Sequence, residues 1–133
     1  MKINLVTIIL ACSLLFISCS TEPENDYEKF KIKIDKITIP DTISTNDTLS
    51  IKFDGFIGPN GCYRFKNFEV INRPNQIHFT VWGEKPNYES ICTDALVFLN
   101  EKEYKLKLTT SGTYNFFIHQ PDKTILIDSI YVK

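Results

Sequence analysis

The side chains able to do chemistry in this sequence are few: four cysteines at 12, 19, 62 and 92, two histidines at 78 and 119, and a scatter of carboxylates. Catalytic zinc sites gather three protein ligands and structural ones four at recognisable spacing. Two isolated histidines, His78 between Ile77 and Phe79 and His119 after Ile118, supply no such set, so no metal and no cofactor is expected. Each falls on the polar phase of an alternating run and reads as a solvated imidazole. Nucleophilic catalysis needs a serine or cysteine beside a base, and no Gly-x-Ser-x-Gly elbow is present. Asp54, Glu69, Glu84 and Glu89 could pair for glycoside hydrolysis, but acids at this density belong to any solvated surface. No catalytic residue is assigned, and a small hydrolase trails the other readings.

The cysteines carry more. Lys2 is followed from Ile3 to Ser18 by an uncharged, branched apolar run, which ends in small residues and then in the acidic stretch Thr21-Glu22-Pro23-Glu24. A membrane-spanning helix needs about 20 apolar residues, so the run has the shape of an export signal. Phe16-Ile17-Ser18-Cys19 resembles the lipobox cut just before an acylated cysteine. That resemblance implies a signal peptide over residues 1–18 and lipid on Cys19. Ile9-Leu10-Ala11-Cys12 fits the same pattern. It is rejected because only about eight apolar residues precede Cys12, the floor of the range for such a signal, and because cleavage there would expose Leu14-Leu15-Phe16-Ile17. Ser20, rather than Asp, after the cysteine resembles sorting to the outer membrane, with the domain facing the periplasm or the cell surface.

All but one of the 15 basic and all of the 16 acidic residues lie beyond the signal, so the exported part is close to neutral. Without a basic face, nucleic acid is not an expected partner, and the membrane is met through the lipid alone. Residues 19–28 form a lipidated, acidic, flexible stalk. Residues 29–133 suit one domain. With Cys12 removed and Cys19 acylated, Cys62 and Cys92 remain as a disulfide in an oxidising compartment, the alternative being two separate buried thiols.

The elements that must position these residues alternate with period two. Phe30, Ile32 and Ile34 alternate with lysines, and the phase slips at Asp35-Lys36, which suggests a bulge or an edge strand changing sheets. Further runs occur at Leu49-Ile51-Phe53, Tyr63 to Val70, Ile77-Phe79-Val81, Ala95 to Leu99, Tyr104-Leu106-Leu108, Tyr114-Phe116-Ile118 and Thr124 to Val132, separated by turn residues. About eight short strands and no helical stripe indicate an all-β, antiparallel sandwich. The stretch Leu106 to Phe116 resembles the crossover of immunoglobulin-like domains, in which a tyrosine near the start of the penultimate strand bonds back to nearby backbone. Tyr114 would be that residue. Phe116 stands where antibody domains carry their second cysteine, so the resemblance is to immunoglobulin-like sandwiches in general. As a whole the chain resembles the small Bacteroidetes-type lipoproteins with such domains.

A binding surface is expected where aromatics sit on loops. Trp82 to Ser90 offers Trp82 and Tyr88 next to Cys92, and Phe56-Ile57 precedes Gly58-Pro59-Asn60-Gly61 next to Cys62. Trp82 has a second reading, as a core plug that completes its strand. Asp41-Thr42-Ile43, Asp47-Thr48-Leu49 and Asp128-Ser129-Ile130 resemble the Asp-Ser/Thr-apolar acceptor for O-glycosylation, Thr42 and Thr48 being better placed than Ser129. These features point to a lipid-anchored, non-enzymatic binding or adhesion module for a protein or glycan. The alternative is an accessory subunit of an envelope assembly that uses a sheet edge.

Overall fold

The computed structural model describes residues 26–133. The expected signal 1–18, Cys12, the acylated Cys19 and most of the stalk lie outside the described residues. Nine strands follow: β1 (Tyr27–Lys31), β2 (Lys33–Thr38), β3 (Thr42–Ile43), β4 (Thr48–Gly58), β5 (Arg64–Arg73), β6 (Gln76–Pro86), β7 (Val97–Lys107), β8 (Gly112–His119) and β9 (Ile125–Val132). They form a sandwich of a larger sheet, β1, β5, β6, β8, β9 and β3, and a smaller one, β2-β4-β7.

The sandwich follows from alternation. In β4, Leu49, Ile51, Phe53 and Ile57 are buried while Thr48 and Phe56 face out. In β6, Ile77, Phe79 and Val81 are buried between half-exposed neighbours. One face of each strand therefore leaves water, at about 25 cal/mol per Å² of apolar area. Phe53 and Phe79 meet at 5.3 Å between ring centroids, and Phe79 and Phe116 at 6.4 Å.

The first run behaves as its broken phase suggested. The chain pairs with β6 through Lys31, crosses at Ile32, whose N–H donates to Val81 C=O at 2.8 Å, and then pairs with β4 in the other sheet. The register slips between Ile34 and Lys36, at the position of the sequence irregularity. Two expected runs, Ala95–Leu99 and Tyr104–Leu108, prove to be one strand, β7, interrupted by Glu101 at φ 49°. The Asp54 carboxylate accepts the Glu101 N–H at 2.8 Å and holds that irregularity. Tyr114 OH donates to Thr110 C=O at 3.2 Å, the corner expected of it. Two pairings depart from an antiparallel plan: β3 runs parallel to β9, and β6 parallel to β8.

The sheets are also tied by Gln120, just beyond β8. Its Oε1 accepts Ile34 N–H and its Nε2 donates to Ile34 C=O, both at 3.0 Å. The amide thus acts as one residue of strand against the outer edge of β2, 86 positions away in sequence.

Candidate functional site

The disulfide is formed: Cys62 and Cys92 are bonded with their Cα atoms 5.4 Å apart. It joins the β4–β5 connection to the β6–β7 connection at one end of the sandwich. Local geometry brings Cys62 there. Asn60 Oδ1 accepts the Cys62 N–H at 3.1 Å, Tyr63 N–H donates to Asn60 C=O at 3.2 Å, and Gly61 N–H donates to Thr93 C=O at 2.9 Å. A side chain at Gly58 would overlap the ring of Tyr63, so glycine lets that ring lie against the end of β4. Phe30 supports the same ring from inside, edge-on at 5.5 Å.

These loops enclose a cleft of about 230 Å³ lined by Asn60, Cys62, Tyr63, Lys85, Pro86, Tyr88, Ser90 and Cys92. Ser90 Oγ lies 3.1 Å from Cys62 Sγ and 3.4 Å from Cys92 Sγ. Lys85 sits 5.8 Å from the Tyr63 ring centre and pairs with Glu28 at 3.1 Å, which holds its ammonium above the ordinary lysine range. The Tyr88 phenol is raised chiefly by its hydrogen bond with Tyr27, whose ring carries Arg64 at 4.3 Å. The lining offers hydroxyl, amide and ammonium groups beside two aromatic rings, an arrangement suited to recognition. Among the described residues, no group of three His, Cys, Asp or Glu could hold a metal.

The proposed contact residues divide. Tyr88 stands at the cleft, 54 % exposed. Phe56 and Ile57 belong to β4 and not to a loop. Ile57 is buried at 6 % exposure and is corrected to a core residue, because the strand's alternation continues to its end. Phe56 faces out and packs edge-on against Phe98 at 5.4 Å, with Leu96 and Ile91 exposed in the adjoining connection. Trp82 is neither a loop anchor nor a core plug. It lies on the outward face of β6 beneath Lys29, 3.9 Å from its ring centre, and its Nε1–H donates to Glu69 at 2.6 Å. Thr42, Thr48 and Ser129 are all exposed, Thr42 and Thr48 in β3 and at the start of β4.

The reading of the histidines as separate solvated imidazoles is corrected. The parallel β6–β8 pairing brings His78 Nδ1 and His119 Nε2 to 3.0 Å, and His78 stacks on Phe117 at 4.7 Å. Burial, then Arg73 and His119, lower the His78 pKa, and its Nε2 is buried without a hydrogen-bond partner. The sequence offered no signal for this pair beyond the shared polar phase. Around it, every outward residue of β8 from Thr113 to Phe117 and of β9 from Ile125 to Tyr131 lacks a fixed charge.

No protein-family model matches the chain, and no curated protein or solved structure matches it.

Proposed function

We propose that the protein is a lipid-anchored, non-enzymatic binding module of the bacterial cell envelope, tethered through Cys19 to the outer membrane, whose disulfide-pinned end receives a protein or glycan ligand. The observation that carries this reading is the cleft between Tyr63 and Tyr88, rimmed by Lys85, Asn60 and Ser90. Its volume of about 230 Å³ is below the roughly 300–1,000 Å³ of small-molecule sites. That suits one side chain or one sugar ring presented by a larger partner. Exposed Phe56, Phe98, Leu96 and Ile91 at the same end favour a protein. A disulfide agrees with an exported, oxidising setting.

The edge-strand alternative has less support. The free edge of β7 carries Lys102, Glu103 and Lys105, and the outer edge of β2 is occupied at Ile34 by Gln120 and carries Lys33, Lys36 and a bulge, devices that discourage strand addition.

Crosslinking in the native envelope identifies the neighbour, and capture of that neighbour is then measured with Tyr63→Ala/Tyr88→Ala. At least a tenfold loss is expected, since two aromatic anchors are removed. Undiminished capture overturns the assignment of the site. Mass analysis of the mature N-terminus tests the anchor, and an unacylated Cys19 overturns it.

A further inference from the structure

From the outward face of the larger sheet, we infer that a second copy of this chain packs here, face to face, along the row Ile71–His78–Phe117–Ile127. The four residues are cross-strand neighbours on β5, β6, β8 and β9. Ile71 and Ile127 are 51 % and 60 % exposed. Single exposed apolar residues are ordinary, but a contiguous uncharged row marks a contact surface. The outer edge of β9 that the short strand β3 leaves uncovered is guarded. Asp128, pointing inward in an edge strand, turns its carboxylate to accept the Ser129 N–H at 2.8 Å, which removes a donor that an added strand would use. The edge is protected while the face is left without fixed charge on β6, β8 and β9, so the contact surface is the face.

Charge selects the occupant. Over β6, β8 and β9 the strip holds no fixed charge, so a partner must bring a face equally free of one there, as the same strip on a second copy does. Two charges flank Ile71 on the outward side of β5: Glu69, opposite Thr80, and Arg73, opposite Gln76. A two-fold axis lying in the interface along the row sets each row residue over its own copy. Because that axis reverses strand direction, it also sets Glu69 of each copy opposite Arg73 of the other. The contact is then isologous and closed, with opposite charges meeting at its margin.

Its strength is bounded by area. Four strands about 4.8 Å apart, along roughly eight residues of about 3.3 Å each, cover about 500 Å² per copy. About 1,000 Å² in total is at the lower limit for a specific interface, so the dimer is a reversible one.

Among the described residues the buried core runs from Ile32 to Val132, with Phe30 packed against it, so a chain beginning at Ser20 keeps that core and serves for sedimentation equilibrium from micromolar to millimolar concentration. A monomer–dimer equilibrium is expected. Ile127→Glu, at an exposed position, should weaken it at least tenfold, while Lys52→Glu on the opposite sheet should leave it unchanged. The decisive set is the charge exchange. Glu69→Arg and Arg73→Glu each weaken association by placing like charges together, and the double variant Glu69→Arg/Arg73→Glu restores it. Circular dichroism confirms that each variant is folded. A monomer at every concentration, a dimer indifferent to Ile127→Glu, failure of the double exchange to restore it, or binding of neutral phosphatidylcholine vesicles in place of dimerisation overturns the inference.

Discussion

Two ties hold distant parts of this sandwich together, and they work on opposite sides of the folding equilibrium. At the loop end, Cys62 and Cys92 are joined covalently across 30 positions. Beside β2, the Gln120 amide is joined by two hydrogen bonds to the backbone of Ile34. The disulfide persists when the chain unfolds and restricts the unfolded ensemble. The Gln120 bonds exist only in the folded state, where they satisfy two backbone groups that burial would otherwise orphan. The first tie fixes the shape of a surface and the second the alignment of two sheets.

The larger effect belongs to the covalent tie. Replacing both cysteines, Cys62→Ser/Cys92→Ser, should lower stability by roughly 3 to 4 kcal/mol in the chain-entropy account of a loop this long. Urea unfolding measures it, and the slope of the transition should steepen because the unfolded chain expands. Capture at the cleft, if it is the binding site proposed above, should fall under the same change, since both of its loops are released. A midpoint that does not move would mean that the loops are held by the Gly61–Thr93 and Asn60–Cys62 hydrogen bonds.

The ties also differ in how far the sequence discloses them. Two cysteines in the described domain have one pairing, so residue type and count suffice. The alternating runs and the phase slip at Asp35-Lys36 were legible for the same local reason, because burial imposes its period on neighbouring residues. Gln120 follows His119 as one more polar residue after a strand, and nothing local distinguishes it from a solvated glutamine. Its role depends on the chain path that brings Ile34 within reach. The histidine pair was hidden likewise, because it requires β6 and β8 to run parallel, and strand periodicity does not state a strand's neighbour. Ile57 is misplaced for a different reason: Gly58-Pro59-Asn60-Gly61 reads as loop punctuation, whereas β4 runs on through Gly58.

Gln120→Leu keeps the volume of the side chain and removes both hydrogen bonds. Ile34 is 2 % exposed, so its N–H and C=O are left without water, at a cost of about 2 to 3 kcal/mol. Unlike loss of the disulfide, this should shift the denaturant midpoint with no change of slope, because only the folded state is altered. A changed slope would show that Gln120 also shapes the unfolded ensemble, and the contrast between the two ties would fail.

The smallest effect separates a third contact, His78 with His119, from both ties, because neither a disulfide nor an amide titrates in this range. Burial, then Arg73 and His119, hold His78 below its ordinary value of 6.5. The folded protein therefore binds a proton there less readily than the unfolded chain does. Where the unfolded state binds more protons, stability rises with pH. Stability should be level above pH 6.5, then decline as pH falls from 6.5 through the lower value of the folded state. His78→Phe, which keeps the stack on Phe117, should flatten this part of the profile, and Arg73→Gln should reduce its depth. Urea midpoints taken from pH 8 to pH 5 on the three proteins measure it. An unchanged decline in His78→Phe would mean that His78 is not its source, and would leave the His78–His119 contact a matter of packing alone.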